Sequence, residues 1–80
     1  MNIETKVKEI VAAHLGHDVA AITVESKIEG DLGADSLDVI EIIMACEDHF
    51  QISIEEYLDD GASTVADLVK LVSRLTGALA

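Results

Sequence analysis

The sequence predicts an all-α fold: a four-helix bundle with a long loop between the first and second helices and a short third helix. Three observations carry that expectation. Apolar residues recur at helical spacing in three stretches. The chain holds no proline, and no stretch alternates long enough to build a sheet. Its 80 residues leave room for one core and hence for one domain, spanning 1–80.

Residues from about 3 to 15 read as the first helix. At 100° per residue, Ile3, Val7, Ile10 and His14 share one side, with Val11 beside them. That placement makes His14 a packing residue. Gly16 is a natural stop, because glycine takes the left-handed cap conformation readily. His17 lies just past the helix end, where a cation is mildly favoured. Residues 17–35 carry no long period, and Val19, Ala21, Ile22, Val24, Ile28 and Leu32 are expected to tuck into the core as anchors. Gly30 and Gly33 punctuate the loop. The second helix is expected over 36–50, with Asp35 and Ser36 both candidate N-caps and Asp38 adding negative charge to the first turn. A short helix within 55–60 should end at Gly61. The last helix should start after Ser63 or Thr64, show Val65, Leu68, Val69, Val72 and Leu75 on one face, and end near Gly77.

The second helix is apolar on two sides. Val39, Ile42, Ile43, Cys46 and Phe50 form the core side. Leu37, Ile40 and Met44 lie nearly opposite, flanked by Glu41, Glu47 and Asp48. A helix in a small bundle needs only one buried face, so the second stripe reads as a contact surface. Methionine suits a surface that meets several partners.

Charge narrows the function. Sixteen acids stand against five bases, for a net charge of −11. Repulsion disfavours nucleic acid and anionic lipid as partners. Between Ile28 and Val69 there is no Lys or Arg but there are 12 acids, which fits either a solvating surface or a docking face for basic partners. No segment approaches the roughly 20 apolar residues of a membrane span, and no signal peptide is visible. The expectation is a cytoplasmic protein or a mature organellar one, with no membrane insertion, acting as a monomer. One cysteine, Cys46, forbids an internal disulfide. On the core side it reads as a small hydrophobe.

The run Gly30-Asp31-Leu32-Gly33-Ala34-Asp35-Ser36-Leu37-Asp38 opens the second helix. With the stretch Glu41–Phe50 and Thr64-Val65, it resembles the acyl carrier proteins over nearly the whole chain. The resemblance implies that Ser36 carries a 4'-phosphopantetheine arm, transferred from coenzyme A by a Mg²⁺-dependent phosphopantetheinyl transferase. Asp35 would help that transferase orient its metal and coenzyme. Leu37, Asp38, Ile40, Glu41, Met44, Glu47 and Asp48 would meet acyl-handling synthases and transferases with basic patches. Val39, Ile43, Ile54, Tyr57, Leu58, Ala62 and Leu68 would line an acyl pocket. Fatty acid or related lipid biosynthesis is the implied pathway. Ile28, Glu55, Tyr57, Leu58, Gly61 and Ala62 depart from the residues usual in those members, so a carrier for polyketide or other secondary synthesis stays open.

Two other classes are weighed against the carrier. Asp-Ser-Leu also occurs in a serine-hydrolase motif, Gly-Asp-Ser-Leu, but Ala34 precedes Asp35 here and no Gly-x-Ser-x-Gly elbow is present. His49 lies about 20 Å from Ser36 along one helix, too far to serve as its base. The chain is therefore not expected to be an enzyme, and no catalytic residue is assigned. Neither the lone cysteine nor the acids form a spaced metal motif, so no metal site is expected. The remaining alternative is an acidic interaction module that never carries a prosthetic group.

The charge pattern makes one prediction. The 12 acids repel one another in the compact state. Salt at about 0.2 M screens them within a Debye length below ~10 Å. The melting temperature should therefore be higher in that salt than in dilute buffer; a salt-independent melting curve would count against the repulsion.

Overall fold

In the computed structural model the described residues are 2–54 and 64–77. They form three helices: α1 over Ile3–Leu15, α2 over Ser36–Phe50 and α3 over Val65–Thr76, with a single 3₁₀ turn at Val19–Ala21. No strand occurs among the described residues; one isolated antiparallel bridge joins Lys27 to Thr64. The short helix expected within 55–60, and its stop at Gly61, lie outside the described residues. The observed architecture is thus a helical fold of three described helices, and the fourth of the expected bundle stays untested.

Each helix end has a local cause. Asn2 accepts from the Thr5 N–H (3.1 Å) and starts α1. Gly16 ends it at φ 75° with its N–H on the Ala12 carbonyl, as the glycine signal predicts. The end of α2 uses no glycine. Gln51 takes the left-handed conformation at φ 56°, and its Nε2 donates to the Asp48 carbonyl (2.6 Å). Beyond it, the Glu47 carboxylate accepts from the Ile54 N–H (2.7 Å). The first bond satisfies a carbonyl that the helix end leaves open, and the second ties the chain beyond the helix back to its last turn.

The start of α3 is closed from two sides. Thr64 and Asp67 form a reciprocal capping box. The loop supplies the rest: the Val65 N–H donates to the Ser26 carbonyl (3.0 Å) and the Ala66 N–H to the Val24 carbonyl (2.8 Å). All four N–H groups that a helix start leaves over find protein acceptors here.

Helix α1 packs against both α2 and α3. The core joins Val7, Val11 and Ala12 of α1, Val39, Ile42, Ile43 and Cys46 of α2, and Val65, Leu68 and Val72 of α3. Ile22, Ile28, Leu32 and Ala34 of the loop fill it from the side, and Ile3, Ile10 and Phe50 pack half-buried against it. Three expected anchors stay out of the core cluster. Val19 is 41% exposed and Ala21 is exposed, both in the 3₁₀ turn, and Val24 is half-buried outside the cluster. On α3, Leu71 is buried while Leu75 reaches the surface at 36%. The buried stripe is centred nearer Leu68 and Leu71 than the apolar pattern implies.

The loop segment 27–34 is wound on itself. Asp31 Oδ2 accepts from the Lys27 N–H (2.8 Å). The Lys27 carbonyl accepts from the N–H groups of Asp31 (2.9 Å) and Leu32 (3.0 Å). Gly33, at φ 81°, turns the chain toward α2; a side chain there would be strained. His17 Nε2 donates to the Leu32 carbonyl (2.9 Å), so the residue just past α1 pins the motif loop to the bundle. It is a hydrogen-bond strut, which its position beside a helix end did not reveal.

Cys46 is fully buried. Burial pushes its thiol up from 9.0 to about 12, and the neighbouring Glu47 charge adds to the rise. A raised folded pKa means that the folded chain keeps a proton the unfolded chain gives up. The associated stability is present below the unfolded value and is lost as pH climbs from about 9 to about 12. Denaturant melts across that window should show the parent losing stability that Cys46→Ala does not lose. At neutral pH, Cys46 should resist iodoacetamide until the chain is unfolded; rapid native-state alkylation would contradict the buried placement.

Candidate functional site

Ser36 is the first residue of α2. Both Asp35 and Ser36 were candidate caps, and the structure gives the cap to Asp35. The Asp38 N–H donates to Asp35 Oδ1 (2.8 Å), and the Asp35 N–H donates to Asp38 Oδ2 (3.1 Å). This reciprocal box relieves Ser36 of any capping duty. Its side chain is exposed, and its hydroxyl makes no hydrogen bond to a described residue. A serine hydroxyl at a helix start is ordinarily used as a cap; this one is left free for chemistry from solvent.

The backbone agrees. The Ser36 and Leu37 N–H groups make no hydrogen bond to a described residue, whereas the same positions of α3 are filled by the loop. The open end of α2 can therefore orient an anionic group attached to Ser36. It cannot attract one strongly. Two carboxylates already occupy the positive end of the helix, and they repel an incoming phosphate. A phosphodiester held here needs a covalent bond to stay.

The outward stripe is where the pattern placed it. Leu37 is 61% exposed, Ile40 40% and Met44 59%. Val39, Ile42, Ile43 and Cys46 are buried on the other side. The acids around the stripe are less free than a docking rim implies. Asp38 is half of the capping box. Glu41 Oε1 lies 2.9 Å from His14 Nε2, with Asp38 Oδ1 at 3.7 Å from the same nitrogen. Glu47 is half-buried and holds the Ile54 N–H. Asp48 is exposed, and its carboxylate has no partner among the described residues. Asp48, Met44 and Glu47 border a shallow open groove completed by Gln51, Ile52 and Ser53.

His14 thus corrects the expectation of a packing residue. It is an inter-helix partner of two α2 carboxylates. The signal was present: the face that carries His14 faces α2, the most acidic of the described helices, where an imidazole pairs rather than packs.

Of the expected acyl lining, Val39, Ile43 and Leu68 lie together in the core, with Ile54 half-buried against it. Tyr57, Leu58 and Ala62 lie outside the described residues. Among the described residues, no helix is long and apolar enough to cross a membrane.

The fold thus presents an exposed serine at a helix start beside an exposed apolar stripe. A family model described as the phosphopantetheine attachment site matches residues 5–72, from α1 through most of α3. The chain belongs to that family. It is a carrier that bears covalently bound 4'-phosphopantetheine, and carriers of this kind are in general non-catalytic and serve phosphopantetheinyl transferases and acyl-handling enzymes.

Removing the Asp35 carboxylate takes away the acceptor of the Asp38 N–H and leaves only the bond from the Asp35 N–H to Asp38. Asp35→Ala should destabilise the fold by about 1 kcal/mol, the usual cost of losing an N-cap, measured by urea unfolding. Asp35→Asn, which keeps an acceptor, should recover most of it. Equal losses in the two variants would show that the carboxylate charge, not the cap, sets the start of α2.

Proposed function

We propose that Ser36 is the attachment site and that the chain shuttles acyl intermediates of fatty acid or related lipid biosynthesis between partner enzymes in the cytoplasm, without catalysis of its own. The observation that carries the site is the exposed Ser36 hydroxyl, which Asp35 frees by taking the cap. When bound, phosphopantetheine supplies a terminal thiol that holds acyl groups as thioesters.

This chain's own residues do the rest. Ser36 Oγ is the bond-forming atom. Asp35 and Asp38 keep α2 starting at Ser36, so the hydroxyl stays at the helix tip and outside the bundle. Asp35 also leaves one carboxylate beside the hydroxyl, where a transferase can use it to place Mg²⁺ and coenzyme A. Leu37, Ile40 and Met44 provide the apolar contact for partners. Asp48, with Glu41 and Glu47, supplies the acidic surround that steers basic docking patches. Val39, Ile43, Ile54 and Leu68 are the described part of a lining that would shelter a short acyl chain, completed by Tyr57, Leu58 and Ala62. A carrier for polyketide or other secondary synthesis uses the same attachment chemistry and differs only in cargo.

Incubation of the chain with coenzyme A, Mg²⁺ and a phosphopantetheinyl transferase should add the mass of one phosphopantetheine arm. Ser36→Ala should add none. An arm on Ser36→Ala, or on a second residue of the parent, would overturn the site. A chain that accepts no arm with any transferase would favour the acidic interaction module.

A further inference from the structure

Beside the Ser36 end of α2 lies a cluster whose histidine the carrier reading does not use. His14 Nε2, Asp38 Oδ1 and Glu41 Oε1 all fall within 4.8 Å of one another. They come from two helices. Asp38 and Glu41 are three residues apart and so share one face of α2; His14 reaches them from the last turn of α1. The distances from His14 Nε2 are 2.9 Å to Glu41 and 3.7 Å to Asp38. The side chains of His14 and Asp38 are 27% and 34% exposed, so an ion could enter from solvent.

We propose that His14, Asp38 and Glu41 form a zinc-class divalent metal site that clips α1 to the helix bearing Ser36. Tetrahedral Zn²⁺ holds nitrogen and oxygen ligands at 2.0–2.2 Å, which sets them about 3.3 Å apart. The two separations from His14 bracket that value, and the two carboxylate oxygens, within 4.8 Å of each other, close the set by side-chain rotation. Asp38 is already oriented for it: Oδ2 is held by the Asp35 N–H, which leaves Oδ1 turned toward His14.

The donor set selects the class of ion. Mg²⁺ and Ca²⁺ take oxygen ligands and either keep their waters or need six to eight oxygens. An imidazole with two carboxylates suits Zn²⁺ or its first-row neighbours, with water completing the coordination. The ion takes the place of the proton on His14 Nε2, and the imidazole binds it as the neutral ring with its one proton on Nδ1. The carboxylates need no change of charge state. Binding would also neutralise Asp38 and Glu41, so the ion would alter the charge that the partner face shows around Leu37.

The test is calorimetric titration of ZnCl₂ into the full chain, in a background of Mg²⁺ that saturates any loose binding to the acidic surface. One Zn²⁺ should bind per chain and raise the melting temperature. His14→Gln should weaken binding by about tenfold or more, and Glu41→Gln should weaken it likewise. Asp48→Asn, on the same helix but outside the cluster, should bind as the parent does. Circular dichroism identifies any variant that fails to fold; Glu41 is exposed, so Glu41→Gln carries the comparison if His14→Gln does not. Zinc binding that survives both substitutions, that falls equally with Asp48→Asn, or that is absent from the parent in Mg²⁺ would overturn the site and leave His14 as an ion-pair partner only.

Discussion

The reciprocal hydrogen bonds between Asp35 and Asp38 are the constraint on which the functional end of this protein depends. A helix start leaves four N–H groups without partners, and the side chain nearest the start normally takes one of them. In this chain two adjacent residues could have done so. Because Asp35 takes the role and Asp38 answers it, Ser36 is left inside the first turn with its hydroxyl in water. One residue earlier, the serine would be a cap, tied to its own backbone. The difference between a capping serine and an exposed one is therefore a matter of register, set by two carboxylates.

That register needs a rigid approach, and the loop before α2 supplies it. Asp31 closes the turn on Lys27, Leu32 and Ala34 are buried, Gly33 turns the chain, and His17 holds the Leu32 carbonyl from the end of α1. The same loop then completes the N-terminus of α3 through the carbonyls of Val24 and Ser26. One connection thus positions the start of α2 and closes the start of α3. Its lack of periodicity is what frees its backbone groups for that work, since a helix or strand would have consumed them internally.

Helix α2 serves two surfaces at once. Its inner face holds the core through Ile42 and Cys46, and its outer face leaves Leu37, Ile40 and Met44 in water. An apolar stripe left exposed gives the folded chain nothing in stability; its use is contact with another surface. The acids near it have mixed duties. Asp38 shapes the helix start, Glu41 meets His14, Glu47 ties down Ile54, and Asp48 alone among these has no described partner. The acidic field around the stripe is therefore partly built from charges that also hold the fold.

The sequence by itself determined the helices that periodicity marks strongly, their glycine stops at Gly16 and Gly77, the two faces of α2, and the motif that places Ser36 at a helix start. These are local properties: 100° per residue and the conformational reach of glycine act within a few residues. Tertiary structure decided what depends on neighbours distant in sequence. Val19 is close to Ile22 in apolar character, yet Ile22 is buried in the core and Val19 is exposed. His14 shares a face with Ile3, Val7 and Ile10, yet it pairs with Glu41 and Asp38, because the face opposite it is acidic there. Gln51 ends α2 without a glycine: it takes the left-handed conformation itself, and its side-chain amide donates to the Asp48 carbonyl. In each case the pattern along the chain names the residue, and only the packing of one element on another names its partner.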